Sequence, residues 1–208
     1  MGEQSEGGAA NSASELTMDY IQSLLQQLTC GDDSRAETAV QELAAYGPQV
    51  LPYLYELMSS DLVDARWWVV RALAEVKDPA SPPLLIKALH DPEMTIRECA
   101  ALGLRQQPDP AAIPDLIECI QSEDRELARL AVDAFVSIGA EAVLPLIDQF
   151  KNGQTRERLA AVQALARIGD TRSIPALCEV FETDSALMEY WANEGLEKMG
   201  VGMTFFKT

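Results

Sequence analysis

The sequence predicts an all-α protein, a right-handed α–α superhelix of about five helix hairpins with a capping helix at each end. Five prolines, Pro52, Pro83, Pro114, Pro145 and Pro175, recur at intervals of 31, 31, 31 and 30 residues, each at the head of an apolar run of helical period. The blocks around them are each long enough for two helices and little more. Runs that alternate with period two, the mark of a half-buried strand, do not occur in the sequence. A helix pair of this length leaves an apolar stripe uncovered, so neighbours must stack and share one core, giving a curved solenoid.

The blocks are 35–60, 61–90, 91–121, 122–153 and 154–183. In each, the first helix carries small and branched apolar residues; in the last block these fill residues 159–168 and stop at Gly169, a helix stop signal. The second helix opens at proline, as at Pro175, where the missing N–H would be unpaired in any case. Residues 17–28 align with a second helix, Ile21 in the proline's place, and are expected to cap the N-terminal end. Residues 185–199 align with a first helix, Gly200 matching Gly169, and are expected to cap the other. Residues 1–16 are polar and glycine-rich, an expected disordered tail ahead of a single domain over 17–208. Phe205 and Phe206 are expected to fold back onto the C-terminal cap.

Two polar columns run through the repeats. Arg35, Arg66, Arg97 and Arg158 share one, interrupted by Ala128 with Arg129 beside it; Asp78, Asp109 and Asp170 share the other. Columns of this kind are expected to form a ladder between neighbouring helices, with a local change at Ala128.

With 16 basic against 33 acidic residues, a net charge of −17, the chain lacks the clustered cations that phosphate backbones require, so nucleic acid is excluded as a partner. The acidic balance serves solubility or a basic partner surface. No signal-peptide core or membrane-spanning apolar stretch is recognised, and the expected location is cytoplasmic. The four cysteines have no CxxC spacing; Cys99, Cys119 and Cys178 occupy apolar columns and are expected to be buried thiols, while Cys30, beside Gly31 and Asp32, is exposed. A single histidine, His90, cannot build a multi-histidine metal site, so no metal is expected, and neither a catalytic triad nor a glycine-rich phosphate loop is present.

A solenoid recognises partners on its concave face, expected here along the second helices. Glu56, Lys87, Glu118, Gln149 and Glu179 form a column there, flanked by Tyr53, Asp115 and Asp148, a mostly acidic trough with one lysine. The competing reading is the ordinary polar side of an amphipathic helix. Trp67 stands in a column with Glu98, Arg129 and Leu159 and is expected to be an exposed aromatic anchor, whereas Trp68 and Trp191, in a column with Cys99, Leu130 and Ala160, are expected in the core.

The proline starts, the Arg and Asp columns and runs such as Ala160-Ala161-Val162-Gln163-Ala164-Leu165-Ala166-Arg167-Ile168-Gly169-Asp170 resemble the short HEAT-like repeat of phycobilisome lyases. The segment Glu189-Tyr190-Trp191-Ala192-Asn193-Glu194-Gly195-Leu196 looks like cyanobacterial members, and the resemblance covers residues 17–203. It implies a bilin lyase subunit of the E/F type, or a chaperone-like relative, acting on phycobiliproteins in phycobilisome biogenesis. It further implies a linear tetrapyrrole such as phycocyanobilin as substrate, with no permanently bound cofactor. The implied partners are a phycobiliprotein subunit and a second HEAT-like lyase chain. The attacked thiol then belongs to the substrate protein, so the absence of a triad is no objection. Under that reading Asp115, Glu118 and Asp148 would hold pyrrole N–H groups, Lys87 a propionate, and Tyr53 or Trp67 the stacked rings. The alternative from another class is a non-enzymatic scaffold that uses the same groove to hold a protein.

Overall fold

The computed structural model describes residues 6–182 and 185–201, with side chains from residue 17 onward. Among the described residues every regular element is a helix. A long α1 (Glu6–Leu28) leads into five hairpins: α2 (Asp33–Ala45) with α3 (Leu51–Leu57), α4 (Val63–Glu75) with α5 (Ser81–Ala88), α6 (Met94–Gln106) with α7 (Ile113–Gln121), α8 (Arg125–Ile138) with α9 (Val143–Asn152), and α10 (Thr155–Ile168) with α11 (Ile174–Glu179). The last helix is α12 (Ala186–Lys198). Five hairpins and two caps are the predicted architecture. Helix α1 begins inside the segment expected to be a tail. Residues 1–5 of that tail, and the two phenylalanines expected to fold back, lie outside the described residues.

Each repeat proline falls in the first turn of a second helix, where no intrahelical N–H is lost. Pro145 is the one out of register. The fully buried leucines Leu54, Leu85, Leu116, Leu146 and Leu177 are spaced 31, 31, 30 and 31, so Pro145 sits one place deeper in α9 than Pro114 does in α7. The first helices of the last two hairpins end at glycine. Gly169 closes α10 at φ 72° and Gly139 closes α8 at φ 77°, backbone that costs other residues about 1 kcal/mol or more. At the end of α6 the same position is served differently: Gln107 donates from Nε2 to the carbonyls of Leu73 and Ala74, at 2.9 and 2.8 Å, closing α4 as well.

The layers are unequal. First helices pack directly on one another in an unbroken row, α2 on α4, α6, α8, α10 and α12 in turn, while neighbouring second helices meet chiefly through the first helices. A buried column of small residues, Ala72, Gly103, Ala134, Ala164 and Gly195, permits the close approach. A Cβ on Gly195 would lie 2.7 Å from the Ala166 Cα, inside any real contact. In a two-layer stack the closer-spaced layer is the inner one, so the solenoid curves toward its first helices. One apolar core runs through it from Ile21 to Leu196.

The expected ladder does not form, because the two columns never meet. Asp78, Asp109 and Asp170 each turn back to accept the N–H two residues on, at 2.8–2.9 Å, starting the second helix. That donor is closer to hand than any arginine of the next repeat. Arg172 also pairs with Asp170 at 2.8 Å and, with its own N–H, holds that carboxyl down at about 2. The Arg column instead fastens first helices to the loops around them. Arg66 grips Asp91 bidentately at 2.8 and 3.0 Å and the Ser60 carbonyl at 2.9 Å, while Arg97 donates to the Asp91 carbonyl at 2.6 Å. Partial burial opposes ionisation of Asp91, but the Arg66 guanidinium, the Glu93 N–H and Arg97 together outweigh it and hold the carboxyl below its ordinary value. Arg158 lies over the Phe150 ring, 5.2 Å from its centroid.

Among the described residues, one stretch is long and apolar enough to cross a membrane by composition, contrary to the sequence expectation: Arg125–Asn152. It is not one rod. The chain turns at Gly139 between α8 and α9, and both halves face the shared core.

Candidate functional site

The second helices carry a row of exposed side chains, but on the outer layer. Glu56, Lys87, Glu118, Asp148 and Glu179 each stand two places after a buried leucine and are exposed. Asp148 takes the place expected of Gln149, a consequence of the register shift at Pro145. Gln149 is half-buried and donates to Glu157 at 2.9 Å. The rest of the expected trough is bound up locally: Tyr53 reaches Met18 Sδ at 2.6 Å, Asp148 accepts from Asn152 at 2.8 Å, and Glu179 stands 3.8 Å from Lys151. Lys87 lies over the Tyr55 ring at 4.5 Å, and Asp115 pairs with His90 Nε2 at 2.6 Å. These residues line a surface strip and do not converge on a common point. Trp67 belongs to the other layer.

The inner face is where side chains gather. Six arginines stand along it on four first helices, Arg71, Arg105, Arg125, Arg129, Arg156 and Arg167, together with Trp67, Trp68 and Trp191, all the tryptophan in the chain. All three indoles are half-buried. Trp67 and Trp68 meet edge to face at 4.8 Å, and Tyr190 and Trp191 do so at 5.5 Å. The expected split between an exposed Trp67 and a core Trp68 and Trp191 is therefore corrected: each lies against the core and opens onto the surface. First helices must be small where they touch one another, so their large side chains are left for the curve's open side.

At the centre lies Asp133 of α8, only 8 % exposed. Three guanidiniums from successive first helices surround it: Arg167 of α10 at 2.7 Å, Arg129 of its own helix at 3.0 Å, and Arg105 of α6 at 3.9 Å. Arg129 also grips Glu126 at 2.5 Å, the bond that does most to hold its charge. Nearer the N-terminal end Arg71 bridges Glu37 of α2 at 2.8 Å and Glu75 at 2.5 Å. Glu98, in the Trp67 column, is pushed above its ordinary range first by burial and then by the Asp124 carboxylate. Sequence reasoning missed this hub. Its trace was a lone carboxylate in the apolar run Leu130-Ala131-Val132-Asp133-Ala134-Phe135, with Arg129 one turn before it.

Besides a smaller cavity of about 240 Å³ beside Trp68 at the starts of α2 and α4, two open between the inner helices nearer the C-terminal end. One, of about 590 Å³, lies among α8, α10 and α12 and is lined by Val136, Ala166, Arg167 and Trp191, with Glu194, Glu197 and Lys198 of α12. The other, of about 520 Å³, lies toward the N-terminal ends of the same helices. No cysteine lines either cavity; Cys99 and Cys119 are buried elsewhere in the core, and burial pushes their thiols up to about 11. No group of three or more metal-ligating side chains forms among the described residues. The face thus combines half-buried indoles with guanidiniums.

The family model for HEAT repeats matches residues 21–105 and 82–153, and that for the PBS lyase HEAT-like repeat matches residues 157–183. The bilin biosynthesis protein RpcF of Synechococcus sp. (strain WH8020) is 35 % identical over 91 residues, 43 % of this chain and 44 % of that protein. The phycocyanobilin lyase subunit alpha of Nostoc sp. (strain PCC 7120) is 28 % identical over 167 residues, 68 % of this chain and 60 % of that one. The chain thus spans about half the length of these relatives. Among solved structures, the complex of CpcE and CpcF of phycocyanin lyase from Nostoc sp. PCC7120 superposes with a TM-score of 0.52 at 22 % identity, covering 86 % of this chain and 77 % of that chain, a likeness of fold.

Proposed function

This chain belongs to the HEAT-repeat family, and we propose that within it the protein is a bilin lyase subunit, or a chaperone-like relative of one, acting on phycobiliproteins during phycobilisome biogenesis in the cytoplasm. The observation that carries the reading is the inner face: three tryptophans and six arginines in a chain of net charge −17, in a protein whose relatives include a bilin biosynthesis protein and a phycocyanobilin lyase subunit. An open-chain tetrapyrrole offers a flat conjugated body for the indoles and two propionates for the guanidiniums.

In the reaction the substrate subunit's cysteine adds across the exocyclic ethylidene double bond of the bilin. The C–S bond forms at one carbon, the π bond breaks, and the thiol's proton is made up at the neighbouring carbon, so no oxidant is required. The chain's part is to hold the pigment extended and exclude competing geometries, which converts an encounter into a positioned addition. The acidic outer strip, Glu56, Glu118, Asp148 and Glu179 with Asp115 and Gln149 beside it, is left to protein contacts. A second HEAT-like chain would complete the grip, a reading supported by the complex of CpcE and CpcF that shares this fold.

The test is to mix the purified protein, with and without a second HEAT-like chain, with phycocyanobilin and an apo antenna subunit. Pigment that stays on the subunit through denaturation, above the level without the protein, is the expected result. Subunit binding with no acceleration of attachment refutes the lyase reading and leaves the chaperone-like one; no binding to subunit or pigment refutes both.

A further inference from the structure

We infer that the cavity between α8, α10 and the start of α12 is a carboxylate-anchoring site for an apolar small molecule, with Arg125 and Arg156 as its two anchors. The inference rests on the proposed function in taking the two propionates of the tetrapyrrole as the carboxylates. The floor is apolar, formed by Val132 and Leu159 with Leu187, the last 53 % exposed although it is a leucine. Cations stand on the rim. Arg129 is occupied by Glu126 and Asp133, but Arg125 and Arg156 form no ion pair among the described residues. That is against expectation where acids outnumber bases 33 to 16.

Two carboxylates share the rim with the three arginines: Asp124 accepts the N–H groups of Glu126 and Leu127 at 2.7 and 3.2 Å and so caps α8, and the exposed Glu123 stands beside it. Two free guanidiniums beside a bare apolar floor fit an anion with a greasy body. A bare inorganic anion would leave the floor wet, and a neutral apolar ligand would leave the arginines without a partner. At about 520 Å³ the cavity falls in the range of small-molecule sites, roughly 300–1,000 Å³. Both arginines are exposed and their side chains make no hydrogen bond or ion pair among the described residues, so they can be changed without unfolding the chain.

The experiment compares phycocyanobilin as the free diacid with its dimethyl ester, followed by pigment absorbance on titration with protein. The native chain is expected to bind the diacid more tightly than the ester. Arg125→Gln and Arg156→Gln are each expected to weaken diacid binding about tenfold while leaving ester binding unchanged, the size expected of one lost charged hydrogen bond. Arg35→Gln, an exposed arginine far from the cavity, is the control and changes neither. Equal binding of diacid and ester, or an Arg156→Gln protein that binds the diacid like the native one, overturns the site. Arginine-dependent diacid binding without pigment transfer to an antenna subunit sinks the lyase reading and leaves the site standing. Transfer at the native rate by the doubly substituted chain does the reverse.

Discussion

Replacing Asp133 by Asn removes one charge from the centre of three and leaves the shape of the side chain almost intact. Two limits bracket the cost. If the arginines were desolvated with it, breaking the cluster would leave buried charges without a partner, at about 3–5 kcal/mol. The carboxylate is indeed buried, but Arg167, Arg129 and Arg105 have side chains 38, 55 and 52 % exposed. Water therefore takes up what the carboxylate releases, and each well-formed pair is worth about 0.2–1 kcal/mol. Two pairs lie within hydrogen-bond distance, at 2.7 and 3.0 Å, and the third, at 3.9 Å, adds little. The expected loss is about 1–2 kcal/mol, part of it recovered by the Asn oxygen. Urea unfolding followed by helical circular dichroism should show the midpoint falling by roughly 0.5–1 M at unchanged slope. A double-mutant cycle with Arg167→Gln should assign the larger share to the shortest pair. A loss above about 3 kcal/mol would refute the reasoning, since it would mean the guanidiniums are locked out of water and are not available to a ligand. The same substitution frees Arg167, while Arg129 stays with Glu126, so diacid pigment should bind more tightly to Asp133→Asn than to the native chain.

The small column offers a contrast in one substitution. Gly195→Ala gains about 1 kcal/mol of helix propensity but drives a methyl into the Ala166 backbone at 2.7 Å; overpacking of about 1–3 kcal/mol wins, and the melting temperature falls by about 2–4 °C. Gly103→Ala meets only the Leu85 methyls and the Ala74 Cβ, at 3.0 and 3.1 Å, and should stay within about 1 kcal/mol of the native protein. Equal effects at the two positions would show that the helices are not held apart as described. Glu98 gives a pH signature. Its carboxyl is raised in the folded chain, so between the ordinary and raised values the folded state keeps a proton that the unfolded state has lost, and stability falls as pH rises through that window. Glu98→Gln should then melt higher than the native protein at neutral pH, with the advantage gone below about pH 4. A difference independent of pH would assign the effect to packing.

The architecture was legible because proline and glycine act locally: a missing N–H in a first turn and a positive φ at a helix end mean the same thing in any context, and Pro52 and Gly169 could be read at once. Columns were less trustworthy. A single-residue change of spacing in the α8–α9 hairpin moved Asp148 into the row assigned to Gln149, and only the buried Leu146 reveals it. The Asp column was misread as half of a ladder because a carboxylate's nearest donor is its own backbone two residues on, which no comparison between repeats exposes. The side of the curve was the largest miss. Which layer is inner follows from how closely the helices approach, and that closeness was present in Gly103, Ala134 and Gly195 as small side chains without being recognised as spacing. The hub at Asp133 joins residues from three hairpins, so no single repeat contains it.

Because every indole of the chain sits along the inner curve, the protein carries its own optical reporter on that side and none on the outer strip. A coloured guest entering the groove would extinguish tryptophan emission by energy transfer, whereas an antenna subunit docking on the outer helices would leave it glowing. Occupancy of the two surfaces can thus be told apart in one cuvette, with no label attached.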